Sequence, residues 1–142
     1  MPKLDADCEH GLEVLKQMAG GAFADGVRAF AETDGFGGEM GRIAVRACFA
    51  EAWGREGLDR KSKSIAIISA LVAMHLSAEL KNHVKIGVNH GLTVADFESL
   101  LIQLQPYVGV PTASNAMIVV METLREIGQI KDGKSAKERG LL

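Results

Sequence analysis

Leu58-Asp59-Arg60-Lys61-Ser62-Lys63-Ser64 leads into an apolar run from Ile65 to Met74, then into His75-Leu76-Ser77-Ala78-Glu79-Leu80-Lys81-Asn82-His83, and the stretch closes at Asn89-His90-Gly91. Asp59 suits a helix N-cap, because its carboxylate can accept from the free N–H groups of the first turn. Ile65 to Met74 is apolar on every side apart from Ser69. A helix of that kind is expected in a core or in an oligomer interface. Ser77 can cap a second helix, and Gly91 can end it in the left-handed conformation. Glu79 and His83 are four residues apart, so on that second helix they share a face. The stretch therefore predicts a buried helix followed by one that carries an acid and an imidazole to the same place.

Working outward, residues 5–19 predict an amphipathic helix with Leu12, Leu15, Met18 and Ala19 on one side, broken at Gly20-Gly21. Residues 22–33 place Phe23, Val27 and Phe30 at helical spacing, and residues 39–53 do the same for Ile43, Ala47 and Ala50. Gly35, Gly37 and Gly38 follow no strand and lack Gly-x-Gly-x-x-Gly spacing, which argues against a phosphate loop. Beyond Gly91, Thr93 and Asp96 form a capping pair for a helix over 94–105 with Phe97, Leu100, Leu101 and Leu104 inward; Pro106 limits its continuation. A last helix over 112–127 carries Ala113, Ala116, Met117, Val120 and Leu124, with Pro111 at its start and Gly128 at its end. Residues 131–142 carry more basic than acidic side chains and no packing pattern, and read as a mostly solvated tail. Nothing alternates like a strand, and no internal repeat is evident. The expected fold is all-α, a helical bundle of one domain. It comprises an N-terminal helical segment 1–38, a core 39–128 and a polar tail 129–142.

At 142 residues, with 47% apolar and 24% charged side chains, the protein has the composition of one globular domain. A net charge of -2 gives no basic field for nucleic acid or an anionic membrane. The apolar run after Ser64 is too short to span a bilayer, which takes roughly 20 residues. Cys8 and Cys48 are isolated, which points to reduced thiols and a cytoplasmic location. Asp5, Asp7, Glu9 and Glu13 near the start do not suit a signal peptide.

Read from the residues alone, His83 is either a polar helix residue bonded to a carbonyl or a functional imidazole, and Glu79 either a solvated first-turn acid or the group that orients and charges that imidazole. Arg60 and Lys63 lie in the first turns of a helix, where cations oppose the dipole; an anionic ligand or a neighbouring subunit's carboxylate would offset that. Arg55 sits in a Gly-flanked loop. His75 suits a cap at the helix junction, Tyr107 a core position with a bonded hydroxyl, and Trp53 plain packing. Glu79, His83 and His90 are a thin set for a metal, since zinc sites use three or four ligands of good geometry.

Arg55-Glu56-Gly57-Leu58-Asp59-Arg60, Lys63-Ser64, Glu79-Leu80-Lys81-x-His83, Asn89-x-Gly91 and Tyr107-x-Gly109-Val110-Pro111 together resemble the gamma-carboxymuconolactone decarboxylase family over about residues 40–127. That family shares the AhpD-like helical fold with alkylhydroperoxidase D. The peroxidase branch carries Glu-x11-Cys-x-x-Cys-x-x-x-His; aligned on His83, its cysteines fall at Leu76 and Glu79 and its glutamate at Ser64. Peroxide reduction needs an attacking and a resolving thiol, so the resemblance is to the decarboxylase branch. Lys63 stands where that branch has Arg, which exchanges a bidentate fork for a point charge. His90 stands where it commonly shows a second Asn.

The resemblance implies a lyase that converts gamma-carboxymuconolactone to the beta-ketoadipate enol-lactone and carbon dioxide in protocatechuate breakdown, without cofactor or metal. It implies His83 as proton donor with Glu79 in support. Arg55, Arg60, Lys63, Ser64, His75 and Tyr107 are then candidates for holding a small carboxylated substrate. Together with the apolar helical faces it implies a homotrimer or homohexamer as the partner state, with neither nucleic acid nor membrane. A different lyase, an isomerase, a lactone hydrolase or a non-catalytic scaffold on the same fold are the other readings.

Overall fold

A computed structural model describes residues 2–131 and 133–141. Every regular element among them is helical, as expected: α1 (Ala6–Ala19), α2 (Gly21–Ala31), α3 (Gly38–Ala44) with a π-helical continuation (Val45–Trp53), α4 (Arg60–Ala73), α5 (Ser77–Asn89), α6 (Val94–Val108) and α7 (Val110–Glu126). The protein divides into two compact units, Met1–Asp59 and Arg60–Leu142.

In the first unit, Asp5 caps α1 by accepting the Cys8 N–H at 2.9 Å. Leu12, Leu15 and Met18 are buried as the spacing requires, and Cys8 joins them. α1 packs most closely on the π-helix. Gly11 makes that approach possible: a Cβ there would lie 2.5 Å from the Val45 carbonyl oxygen. The third helix departs from its predicted pattern. From Val45 the ladder shifts to i→i+5 bonding, as in Gly54 N–H to Phe49 O at 2.9 Å. The shift turns Val45 and Trp53 inward and leaves Ile43 and Ala47 exposed. α2 also differs, burying Ala24 and Ala31 while Phe23 and Phe30 stay exposed.

In the second unit, α4, α5, α6 and α7 enclose Ile68, Val72, Leu80, Val84, Phe97, Val120 and Leu124. The all-round burial expected of α4 is not met within this chain. Ser64, Ile68 and Val72 face the core, whereas Ile65, Ala66, Ala70 and Met74 are exposed. His75 at φ 59° reverses the backbone after α4, and the N-cap of α5 is Leu76 rather than Ser77. α5 ends at Gly91 with φ 94°, the left-handed conformation foreseen for it. Thr93 and Asp96 form the reciprocal capping box, at 3.1 Å and 2.9 Å.

Pro106 does not stop α6, which runs on to Val108. So close to the end, a proline removes only one intrahelical bond. The tail is less solvated than its composition implies. Ser135 is buried, and Glu138 accepts from the Ser135 N–H at 2.7 Å and pairs with Arg125 of α7 at 2.9 Å. Arg125 also donates to the Gly133 carbonyl. Lys131, Lys134, Lys137 and Arg139 are exposed as expected, and Asp132 and Leu142 of that stretch lie outside the described residues.

Candidate active site

His83 and Gly87 of α5 and His90 at its C-cap stand at i, i+4 and i+7, about one helical turn apart. Gly87 is the contact point. A Cβ there would stand 2.8 Å from Leu92 Cδ1, 3.2 Å from Phe97 Cζ and 3.3 Å from Ile68 Cδ1 of α4. Its bare backbone lets α5 lie close on α4, with an imidazole about one helical turn to either side. At the Gly91 end, His90 Nδ1 lies 2.8 Å from Ser64 Oγ of α4, and Ser64 is fully buried. The His90 ring also hydrogen-bonds to the backbone of Arg60, one turn before Ser64. His83 Nδ1 and His90 Nε2 are both shut off from solvent.

The electrostatics differ from the simple expectation that Glu79 raises the His83 pKa. Burial pushes the His83 imidazole below its ordinary value, and the Glu79 charge opposes this without overcoming it. His90 is pushed down as well, by burial first, then by the Arg60 guanidinium and by His83, while its bond to the Arg60 backbone works the other way. In the resting protein both rings are therefore biased towards the neutral form.

Of the residues singled out in the sequence, Arg60, Ser64, Glu79 and His83 fall in this neighbourhood, with Glu79 exposed at the start of α5. Lys63 is half-buried beside Ser64 on α4. Arg55 belongs to the first unit, where its guanidinium lies 3.7 Å from Glu51. His75 lines a small hollow of about 70 Å³ with Leu76, Ser77, Thr112 and Asn115. Tyr107 is not the core residue its chemistry suggested; it is 82% exposed on the last turn of α6. Two features were missed in the sequence: the tie from Ser64 to His90, and Gly87. The i, i+4, i+7 spacing of His83, Gly87 and His90 is the signal that could have found them.

A larger apolar cleft of about 380 Å³ lies between α6 and α7, lined by Phe97, Leu101, Ile102, Met117, Val120 and Leu124 among others. Neither hollow includes Ser64, His83 or His90. Among the described residues no group of three or more His, Cys, Asp and Glu side chains is arranged to hold a metal, so Glu79, His83 and His90 do not form one. No helix there is long and apolar enough to cross a membrane.

Residues 38–122 match the model of the carboxymuconolactone decarboxylase family. The protein is similar to the 4-carboxymuconolactone decarboxylase of Acinetobacter baylyi, with 27% identity over 120 residues, covering 84% of this chain and 88% of that protein. It is also similar to the nitrosuccinic acid decarboxylase of Metarhizium robertsii, with 24% identity over 119 residues, covering 84% and 82%.

Proposed function

The protein belongs to the carboxymuconolactone decarboxylase family, and on that premise we propose that it is a carboxy-lyase acting on a small carboxylated lactone, of the kind 4-carboxymuconolactone represents, in aromatic-compound catabolism. The observation that carries this reading is the pair of imidazoles, His83 on α5 and His90 at its C-cap, with His90 held against Ser64 and Arg60 of α4. A half-buried imidazole pair beside a cation suits a reaction that consumes a carboxylate and ends with a proton delivered to carbon.

The chemistry needs no external electron sink. As the C–C bond to the carboxylate breaks and carbon dioxide leaves, the electron pair passes through the ring C=C into the lactone carbonyl as an extended enolate. One proton delivered to the ring carbon next to the lactone carbonyl, at the far end of that enolate, leaves the C=C on the carbon that lost the carboxylate and gives the enol-lactone. Arg60 and Lys63 attract and orient the carboxylate. His83 delivers the proton, and Glu79 favours the ring's charged form. The substrate helps as well, because an anion placed beside His83 raises the imidazole pKa that burial had lowered. Thiol peroxide chemistry has little support, since burial pushes the Cys8 thiol above its ordinary pKa and no cysteine stands near His83 in sequence.

An open-chain substrate is a second reading, favoured by the nitrosuccinic acid decarboxylase among the relatives. There a nitro group would take the electron pair in place of the lactone carbonyl, and the demands on His83 would be unchanged. We take the protein to be cytoplasmic and to work as a homotrimer or homohexamer.

The experiment compares wild type with His83→Ala on 4-carboxymuconolactone and on nitrosuccinate, with hydrogen peroxide reduction assayed in parallel. Circular dichroism controls for folding. The expected result is decarboxylation of one of the two acids that falls about 10²–10⁴-fold in the variant, with no peroxide turnover that survives replacement of both cysteines by Ser. A folded His83→Ala protein within about threefold of wild type would place the site elsewhere.

A further inference from the structure

The apolar cleft between α6 and α7 includes neither Ser64, His83 nor His90, and the reaction just given leaves it without a role. Its α6 wall is Val94, Glu98, Leu101, Ile102 and Gln105. On a helix of 3.6 residues per turn these positions share one stripe about 100° wide. Its α7 wall includes Ser114, Met117, Met121 and Leu124, stepped by three, four and three residues. That is the spacing of a seam that meets another helix. The stripe runs about 17 Å from Val94 to Gln105 at 1.5 Å per residue. Much of it is open to solvent. Ile102 is 63% exposed. Glu98 and Gln105 are exposed too, and neither has a hydrogen-bonding partner among the described residues.

The order of residues along α6 says what covers the cleft. Leu101 and Ile102 sit at the centre of the stripe, with Glu98 three residues before Leu101 and Gln105 three after Ile102. A second α6 laid antiparallel on the first, about a two-fold axis between Leu101 and Ile102, brings Ile102 of each copy to Leu101 of the other. The same operation brings Glu98 of each copy to Gln105 of the other. The carboxylate of Glu98 accepts and the amide of Gln105 donates, and the axis makes that pair twice. The two carboxylates then stand seven residues apart along the helices, roughly 10 Å, beyond the screening length of physiological salt. A parallel pair would set them side by side.

We propose that the α6–α7 cleft is a self-association surface, on which α6 of a second copy packs antiparallel about a two-fold axis at Leu101 and Ile102 and seats its Ile102 in the cleft. Such a contact is isologous, the same patch used on both copies. It goes beyond the decarboxylase reading and does not depend on it. It also bears on the assembly. A two-fold contact joins copies in pairs, so it belongs to a homohexamer made of two trimers and is absent from a bare homotrimer.

The test is sedimentation velocity on the full chain over a dilution series, with circular dichroism as the control for folding. Wild type at micromolar concentration is expected to hold an even number of 15.2 kDa chains. Ile102→Arg places a charge at the centre of the contact and is expected to halve that mass. Gln105→Glu is a change at an exposed position, which keeps the test independent of any folding defect in Ile102→Arg. It sets a carboxylate against Glu98 of the other copy, and the axis repeats the clash. The concentration at which the mass halves is expected to rise about tenfold or more. Adding Glu98→Lys to Gln105→Glu turns each clash into an ion pair and is expected to bring that concentration back towards wild type. Within one helix the two positions are roughly 10 Å apart, so the rescue reports contact between copies.

An odd number of chains in wild type would overturn the proposal. So would a folded Ile102→Arg or Gln105→Glu protein that associates as wild type does. Either result would leave the cleft to a small apolar ligand or to another protein. A double variant no better than Gln105→Glu alone would overturn the antiparallel register. No arm reads turnover, so a failure of the decarboxylase reading, seen as no carbon dioxide from either candidate acid, stands apart from these outcomes.

Discussion

Glu79 pushes the His83 imidazole towards its charged form, and burial pushes harder the other way. The i, i+4 spacing made the first effect legible in the sequence. The second depends on how deeply the packed helices enclose the ring, which no local pattern states. The sign of the pH dependence follows. A step that needs protonated His83 has kcat/KM high below the free-enzyme pKa and falling above it, and that pKa lies under the ordinary value of 6.5. Glu79→Gln removes a charge that raises it, so the falling limb should move to lower pH, with a smaller loss of rate than in His83→Ala. A pH–rate profile of the folded variant checks this; a limb that stays in place would remove Glu79 from the chemistry. Arg60 was singled out as a cation opposing the helix dipole and Ser64 from the family resemblance, whereas the neighbour that joins them, His90, was seen only as a weak metal candidate and as a substitution for Asn. Its meaning comes from α4 and α5 lying side by side.

At the scale of the elements, helical periodicity and capping signals located α1, α5, α6 and α7 well. The Thr93–Asp96 box and Gly91 began and ended helices where the sequence said they would. Elsewhere the packing departed from the pattern. The π-helical stretch Val45–Trp53 resets which side chains face inward, and the signal for it is the close approach to Gly11, distant in sequence. Pro106 reads as a stop but sits where one missing bond costs little. Gly87 is the element-scale feature with the sharpest consequence. Gly87→Ala gains helix propensity of up to about 1 kcal/mol, but forces a methyl against Leu92, Phe97 and Ile68 in a core where such crowding costs about 1–3 kcal/mol. The expected net effect is a loss of about 1 kcal/mol in denaturant unfolding, with a greater loss of turnover as α5 moves off α4. A variant as active and stable as wild type would show that the close approach at Gly87 is not what places the imidazoles.

For the whole molecule, the apolar run from Ile65 to Met74 was expected to be covered, and this chain covers only one side of it. Ile65 and Met74 are exposed on α4, as are Leu76 just beyond it and Ile102 and Val110 in the second unit. Phe23, Phe30, Phe36 and Met40 are exposed in the first. Large contiguous apolar surface is uncommon on monomers, and self-association is the economical cover for it. Sedimentation velocity at micromolar concentration should show a species several times the 15.2 kDa protomer; a clean monomer would contradict the oligomer. The sequence could display this surplus but not apportion it between core and interface, because an apolar helix looks the same in both. The central claim, loss of carbon dioxide followed by protonation of carbon, has one direct measurement. The purified protein is given 4-carboxymuconolactone, and separately nitrosuccinate, each ¹³C-labelled at the departing carboxyl, in D₂O. The account predicts that for one of them the label appears as carbon dioxide and the product carries one deuteron at the carbon it left, or at the far end of the extended enolate. Label retained in a ring-opened or isomerised product would contradict it.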